Sequence, residues 1–313
     1  AMGHVGGPDP AALQLECRLE SAHSLAALLG AMQLRERDQK DQRVHCEASA
    51  KGLKFVSQSV GKDAAVLGWI FDQAFKEYRY AAEAPELHLR LPVAPLRECL
   101  QIFSDRAALV LRYPGGPSNE LGFTLEEDGA VTECSLKTLV LEEAPAPIGA
   151  FFVPGVPLSV LRPGSAEAWH FALAELQDMD APDVPLSITV IAVEDPLATA
   201  LVLRARTVSS DAEVELPRSA FEELSLAPGT APGGQVTHRY LLSSVLASSL
   251  KASREAKAAK IRFNQEGVMS CQYILRGRAG RDLLCEALVS PLSEAGDLGA
   301  QAGVAAAVES LGF

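Results

Sequence analysis

The signatures of common catalysts are missing from this chain. Its 313 residues contain no G-x-S-x-G, G-x-x-x-x-G-K, G-x-G-x-x-G or H-E-x-x-H. Nucleophilic hydrolysis, phosphate cradling, dinucleotide binding and zinc proteolysis thus lose their usual sequence marks. The 6 histidines are isolated from one another, and Cys17, Cys46, Cys99, Cys134, Cys271 and Cys285 form no C-x-x-C pair. Structural zinc sites use tight ligand pairs, so reduced and mostly buried thiols are expected. The expected sets of catalytic, cofactor-binding and metal residues are therefore empty.

A membrane span is also missing. The longest uncharged run that could imitate one, 144–161, carries Pro145, Pro147, Pro154 and Pro157, which remove too many backbone donors for a continuous helix. No secretory signal pattern is visible, so a soluble intracellular protein is expected. Positive charge is the scarcer sign, with 28 Lys and Arg against 40 Asp and Glu, a net charge of −12. A body of that sign does not adhere to nucleic acid over its whole surface, although one basic strip on it could.

Apolar residues make up 48% of the chain, the composition of an ordinary globular protein. The length suits about two domains. The segment from Leu125 to Thr132 recurs faintly as Phe263 to Ser270, with Gly129 and Gly267 spaced 138 positions apart. That spacing is too long for a solenoid unit and is the size of a small domain, so the chain reads as a duplication.

Residues 13–19 alternate apolar and polar, the pattern of a half-buried strand. Ser21 then offers an N-cap for a helix carrying Leu25, Leu28, Leu29 and Met32 on one face. Strands are expected at 44–49, 53–59, 66–70 and 75–80. A second helix opens at Pro92, and a meander follows over 108–113, 121–126 and 130–136. The second half repeats the order: strand material at 151–161, a helix opened by Ser165, β-rich segments over 186–193, 199–208, 212–216 and 237–241, a helix over 242–251, and three strands after it. Hairpin spacing dominates, so the fold expected is a two-layer α+β protein with antiparallel sheets. The division expected is an arm over 1–10, a first domain over 11–137, a proline-rich connecting loop over 138–150, a second domain over 151–291 and a tail over 292–313.

Two charged clusters remain. Glu126, Glu127 and Asp128 could hold nuclease metals, or could simply form an acidic hairpin turn. Lys251, Arg254, Lys257, Lys260 and Arg262 lie within twelve residues that hold one acid, Glu255. Ser243, Ser244, Ala247 and Ser248 precede them opposite an apolar stripe of Leu242, Val245, Leu246 and Leu250. A smooth helical face ending in Lys and Arg suits sequence-blind contact with phosphates; a solvated face without a partner is the alternative.

The segments 96–103 and 125–134, the stretch from His238 to Arg276, and Lys51-Gly52-Leu53-Lys54-Phe55 together resemble the Rad-one family of the nine-one-one checkpoint clamp. That resemblance implies the DNA sliding-clamp fold of proliferating-cell nuclear antigen, with two similar domains per subunit. It further implies a nuclear heterotrimeric ring with two paralogous subunits, Rad-nine-like and Hus-one-like, placed by a clamp loader around double-stranded DNA. On this reading the subunit is not an enzyme. Lys251, Arg254, Lys257, Lys260, Arg97 and Arg162 are expected to face DNA, although Glu98, Glu167 and Glu175 dilute the charge of the other helices. Leu139, Leu141 and Ile148 are expected beside a docking pocket for checkpoint and repair clients. A metal-dependent 3′–5′ exonuclease and a clamp-fold binding module outside any ring are the alternatives.

Overall fold

The computed structural model describes residues 13–34, 42–81, 86–115, 120–140, 159–179, 183–227, 234–277 and 281–292. The expected arm, the loop 228–233, most of the tail and most of the connecting loop lie outside them.

The first half runs β1 (Leu15–Leu19), α1 (Ala22–Ala31), β2 (Arg43–Ser49), β3 (Gly52–Gln58), β4 (Ala64–Phe71), β5 (Glu77–Tyr80), β6 (Leu87–Pro92), α2 (Val93–Leu100), β7 (Ala108–Tyr113), β8 (Glu120–Glu127) and β9 (Ala130–Lys137). A two-residue strand, β10 (Leu139–Val140), pairs with β6. The second half runs β11 (Ser159–Pro163), α3 (Ala166–Ala174), β12 (Pro185–Ile191), β13 (Thr199–Arg206), β14 (Asp211–Pro217), β15 (Phe221–Ser225), β16 (Gln235–Leu241), α4 (Leu242–Glu255), β17 (Ala256–Phe263), β18 (Met269–Leu275) and β19 (Leu283–Val289). Apart from β10 the two orders are the same.

All the strand pairings are antiparallel. One sheet has the order β5-β1-β7-β8-β9 and another β14-β13-β12-β16. The third has ten strands, β10-β6-β2-β3-β4-β19-β18-β17-β11-β15. It crosses from one half to the other where β4 pairs with β19, Ala64 opposite Val289 through Trp69 opposite Leu284.

The helices form one row, α2-α1-α4-α3, with α4 lying against β4, β18 and β19. A single apolar cluster runs beneath them through both halves, from Leu25, Leu28 and Val66 to Trp169, Val245 and Tyr273. Gly68 shows how close the layers are: a Cβ there would stand 2.6 Å from Met32 Sδ and 2.9 Å from Leu28 Cδ1, so a larger residue would have to displace these side chains. The indole of Trp169 donates to the Tyr273 hydroxyl at 3.0 Å, fastening α3 to the same sheet face.

Several sequence expectations change. Ser21 holds the N-cap position, yet its hydroxyl donates to the Asp105 carbonyl at 2.7 Å instead of capping α1. Ser165 does cap α3, accepting from the Glu167 amide at 3.1 Å. Helix α4 runs to Glu255 rather than 251. Ser248 is buried and bonds back to the Ser244 carbonyl at 2.7 Å, so it is not part of the solvent face. Leu250 is only partly buried and borders that face.

The motif echo is not between equivalent hairpins. Gly129 turns β8 into β9, whereas Gly267 lies between β17 and β18, the counterparts of β7 and β8. The strand order establishes the repeat, and the echoed turns share only a glycine with positive φ, 82° and 79°.

Candidate nucleic-acid interface

The expected basic residues divide between the two faces of the ten-stranded sheet. Tyr273 lies opposite Ala259 in the β17–β18 ladder and takes the Trp169 hydrogen bond, so Ala259, Ile261 and Phe263 face the helices. Strand alternation then turns Lys260 and Arg262 away from them. On that far side Lys260 stands 3.8 Å from Glu223. Arg162, on neighbouring β11, lies 3.3 Å from Glu222 and 3.9 Å from Glu223. Arg262 makes a 2.7 Å ion pair with Glu286. Lys257 sits in a bulge where the β17–β18 register shifts, and pairs with Asp282.

The helix row keeps the other three. Along α4 the partly or fully exposed positions Ser243, Ala247, Lys251 and Arg254 recur at helical spacing and form one stripe. Lys251 Nζ donates to Gln33 Oε1 at 3.1 Å, and Arg97 Nη1 of α2 donates to the same oxygen at 2.9 Å. Two cations from two helices thus converge on one neutral amide beside the end of α1. The Arg97 guanidinium passes over Gly30, where a Cβ would be in ordinary contact with it at 3.4 Å. Arg254 is exposed and 3.2 Å from Glu255.

Between α3 and α4 lies a groove of about 290 Å³ bordered by His170, Gln177, Ser243, Lys251 and Arg254. His170 Nδ1 is 3.1 Å from Ser253 Oγ, a contact that ties the two helices together. The exposed side of α3 presents Glu167, Phe171 and Glu175, which adds no positive charge. Positive potential on the row is therefore concentrated on α4 and α2.

Sequence reading missed Gln33 and His170. A lone polar residue after a helix and a lone histidine within one carry no periodic mark, and only the docking of the helices on one another gives them a role. Arg162, Lys257 and Lys260 were expected on one surface with Lys251, and the strand alternation and bulge of β17 place them elsewhere.

The acidic candidates are held as a hairpin corner. Asp128 and Gly129 form a two-residue loop with φ of 49° and 82°, the backbone sign that a type I′ turn requires. Glu127 accepts the Ser104 amide at 2.9 Å and also its hydroxyl. Glu126 lies 3.8 Å from Arg18. Glu126 and Glu127 thus have their neighbours on opposite sides of β8, Arg18 for one and Ser104 for the other.

Of the client-docking candidates, Leu139 lies in β10 opposite Arg90. Leu141 and Ile148 lie outside the described residues. Among the described residues no helix is long and apolar enough to cross a membrane.

The sequence matches no curated protein. The fold is shared with a crystal structure of the PCNA2–PCNA3 complex from Sulfolobus tokodaii, at TM-score 0.65 and 14% identity, over 88% of this chain and 98% of that one. The architecture is thus the α+β sliding-clamp fold. Residues 14–275 match the family described as repair protein Rad1/Rec1/Rad17. With that match over most of its length, the chain belongs to the Rad1/Rec1/Rad17 repair-protein family.

Proposed function

We propose that this chain is the Rad-one-type subunit of a nuclear, heterotrimeric checkpoint ring that encircles double-stranded DNA without catalysing a reaction on it. In this reading 11–137 and 151–291 are its two clamp domains and 138–150 connects them. A loader places the ring, and checkpoint and repair clients dock beside Leu139, Leu141 and Ile148.

One observation carries the reading. Inside the chain, β4, the last first-half strand of the ten-stranded sheet, pairs with β19, the adjoining second-half strand. Their counterparts in the repeated order, β14 and β9, each end a sheet among the described residues. Pairing β9 with a β14-like strand of one neighbour, and β14 with a β9-like strand of the other, repeats the internal junction at both ends and removes exposed edges. The outward positions of β14 carry Asp211, Glu213 and Glu215, while β9 offers Glu133 and Lys137. Asp211 and Glu213 are already paired with Arg204 and Arg206 of β13, so charge along the joint does not by itself choose between a second copy and a different neighbour.

The helix row lines the hole in this arrangement, with Lys251, Arg254 and Arg97 facing the phosphate backbone. Contacts of that kind hold DNA by long-range charge and leave the ring free to slide.

The test is assembly. Leu136 of β9 and Leu216 of β14 are partly buried against the core at the two edges. Leu136→Lys and Leu216→Lys place a charge where a paired edge has to bury it. Each variant, checked for native circular dichroism and mixed with the two paralogous subunits, is expected to lose one neighbour in size-exclusion chromatography with light scattering. Wild-type ring yield from the double variant overturns the pairing of these two edges, and failure of the wild-type chain to form a ring with the two paralogous subunits overturns the proposal in favour of a binding module outside a ring.

A further inference from the structure

On the ten-stranded sheet's far face, away from the helices, His45 and Glu47 of β2 alternate with the core residues Val44, Cys46 and Ala48. Glu47 is directly opposite His88 of β6, and His45 is two pairs further along, on the same face and opposite Arg90. The two imidazoles stack with centroids 5.3 Å apart and planes 22° apart. His45 Nε2 and His88 Nδ1 approach to 3.3 Å. Two nitrogens bound to one tetrahedral zinc at its usual bond length are separated by about 3.3 Å, so this pair already has the spacing of two ligands. The Glu47 carboxylate completes a set whose donor atoms all lie within 4.8 Å of one another.

We propose that His45, Glu47 and His88 form a binding site for a divalent cation of the zinc class, with water as the remaining ligand. Two imidazoles and a carboxylate are a donor set that zinc favours over magnesium or calcium. His45 Nδ1 is buried and makes no hydrogen bond, which leaves Nε2 as the nitrogen directed at the site. Lys54 Nζ stands 3.6 Å from Glu47 and competes with the cation for that carboxylate. The ion would staple β2 to β6 next to β10, where Val140 lies opposite Leu89 and the chain leaves its first half. The inference is independent of ring assembly and of DNA.

The probe is cobalt(II), followed by zinc(II), titrated into the tag-free full chain. The expected result is a visible absorption band of four-coordinate cobalt, abolished by zinc, with a rise in melting temperature on zinc addition. His88→Ala and Glu47→Gln, at half-buried positions where folding is retained, are expected to weaken binding by more than about tenfold, the scale of damage to a zinc site's ligand environment. Lys54→Met is expected to tighten it. Cys99→Ser serves as a control for thiol binding, because Cys99 and Cys134 are the two cysteines that are not fully buried. No cobalt band at about 100 μM metal, where a micromolar site is filled, overturns the proposal. Unchanged affinity in His88→Ala, or a near-ultraviolet thiolate band that Cys99→Ser removes, does the same.

Discussion

Arg262 of β17 and Glu286 of β19 reach across β18 to form an ion pair of 2.7 Å, with side chains only 14% and 3% exposed. Ser270, on the strand between them, donates to Glu286 at 2.5 Å and accepts from Arg262 at 3.0 Å. In the sequence Arg262 ends a basic run that reads as a nucleic-acid strip. In the structure it is an interior charge, matched by its own carboxylate.

Removing either partner strands the other in a dry place. Arg262→Ala and Glu286→Ala are each expected to cost about 3–5 kcal/mol in urea unfolding, whereas Arg262→Met with Glu286→Leu is expected to lie near wild type. Equal losses from the singles and the double would show that packing, not charge, holds this position.

Division of the basic run between two faces makes a sharper test of DNA binding than composition allows. In the assembled ring, Lys251→Glu with Arg254→Glu is expected to reduce DNA retention and to flatten its dependence on salt by about one log unit for each phosphate that is no longer neutralised. Arg162→Glu with Lys260→Glu, on the far face, is expected to leave both unchanged. Retention assays across a salt series check this, and equal effects from the two pairs would mean that the helix row is not the DNA surface.

The two echoed glycines share a φ sign and differ in surroundings. Nothing stands within 4 Å of a Cβ built on Gly129, while one on Gly267 would meet His238 Nδ1 at 2.8 Å. Gly129→Ala is therefore expected to cost about 1 kcal/mol, the strain of a left-handed residue alone. Gly267→Ala is expected to cost more, because it must also displace the imidazole. Thermal denaturation of the two variants side by side gives the comparison.

His238 lies under the same turn and stacks on Phe263 with ring centroids 5.4 Å apart. Burial lowers its pKa, so the unfolded chain takes up the proton first as pH falls. Its contribution to stability is present above about pH 6.5, the ordinary histidine value, and declines below it. His238→Phe is expected to show a shallower loss of stability between neutral and mildly acidic pH than wild type, measured by denaturant midpoints at each pH.

Local pattern made much of the architecture readable in advance. Period-two alternation marks β1 and β6, an i, i+3, i+4, i+7 stripe marks α1, and Ser165 marks the start of α3. Those signals work because they depend on neighbours in the chain. Ser21 misleads for the opposite reason: the partner of its hydroxyl, the Asp105 carbonyl, is 84 residues away. The candidate site was half legible. Lys251, Arg254 and Arg97 emerge on one layer, but the basic run gave no sign that α4 extends to Glu255, or that the bulge at Lys257 and the pleat of β17 send Lys260 and Arg262 to the other side.

The sequence by itself determined that the chain is antiparallel α+β, that it lacks the common catalytic motifs, and that its two halves follow one plan. Those properties follow from residue type and short-range period. Only the tertiary structure decided which hairpins correspond, which cations share the helix row, which charge is buried against Glu286, and that two histidines and a glutamate meet on β2 and β6. Each of these depends on strand register, and register is fixed by burying one face of every strand at once, a condition on the whole sheet and not on any segment of it.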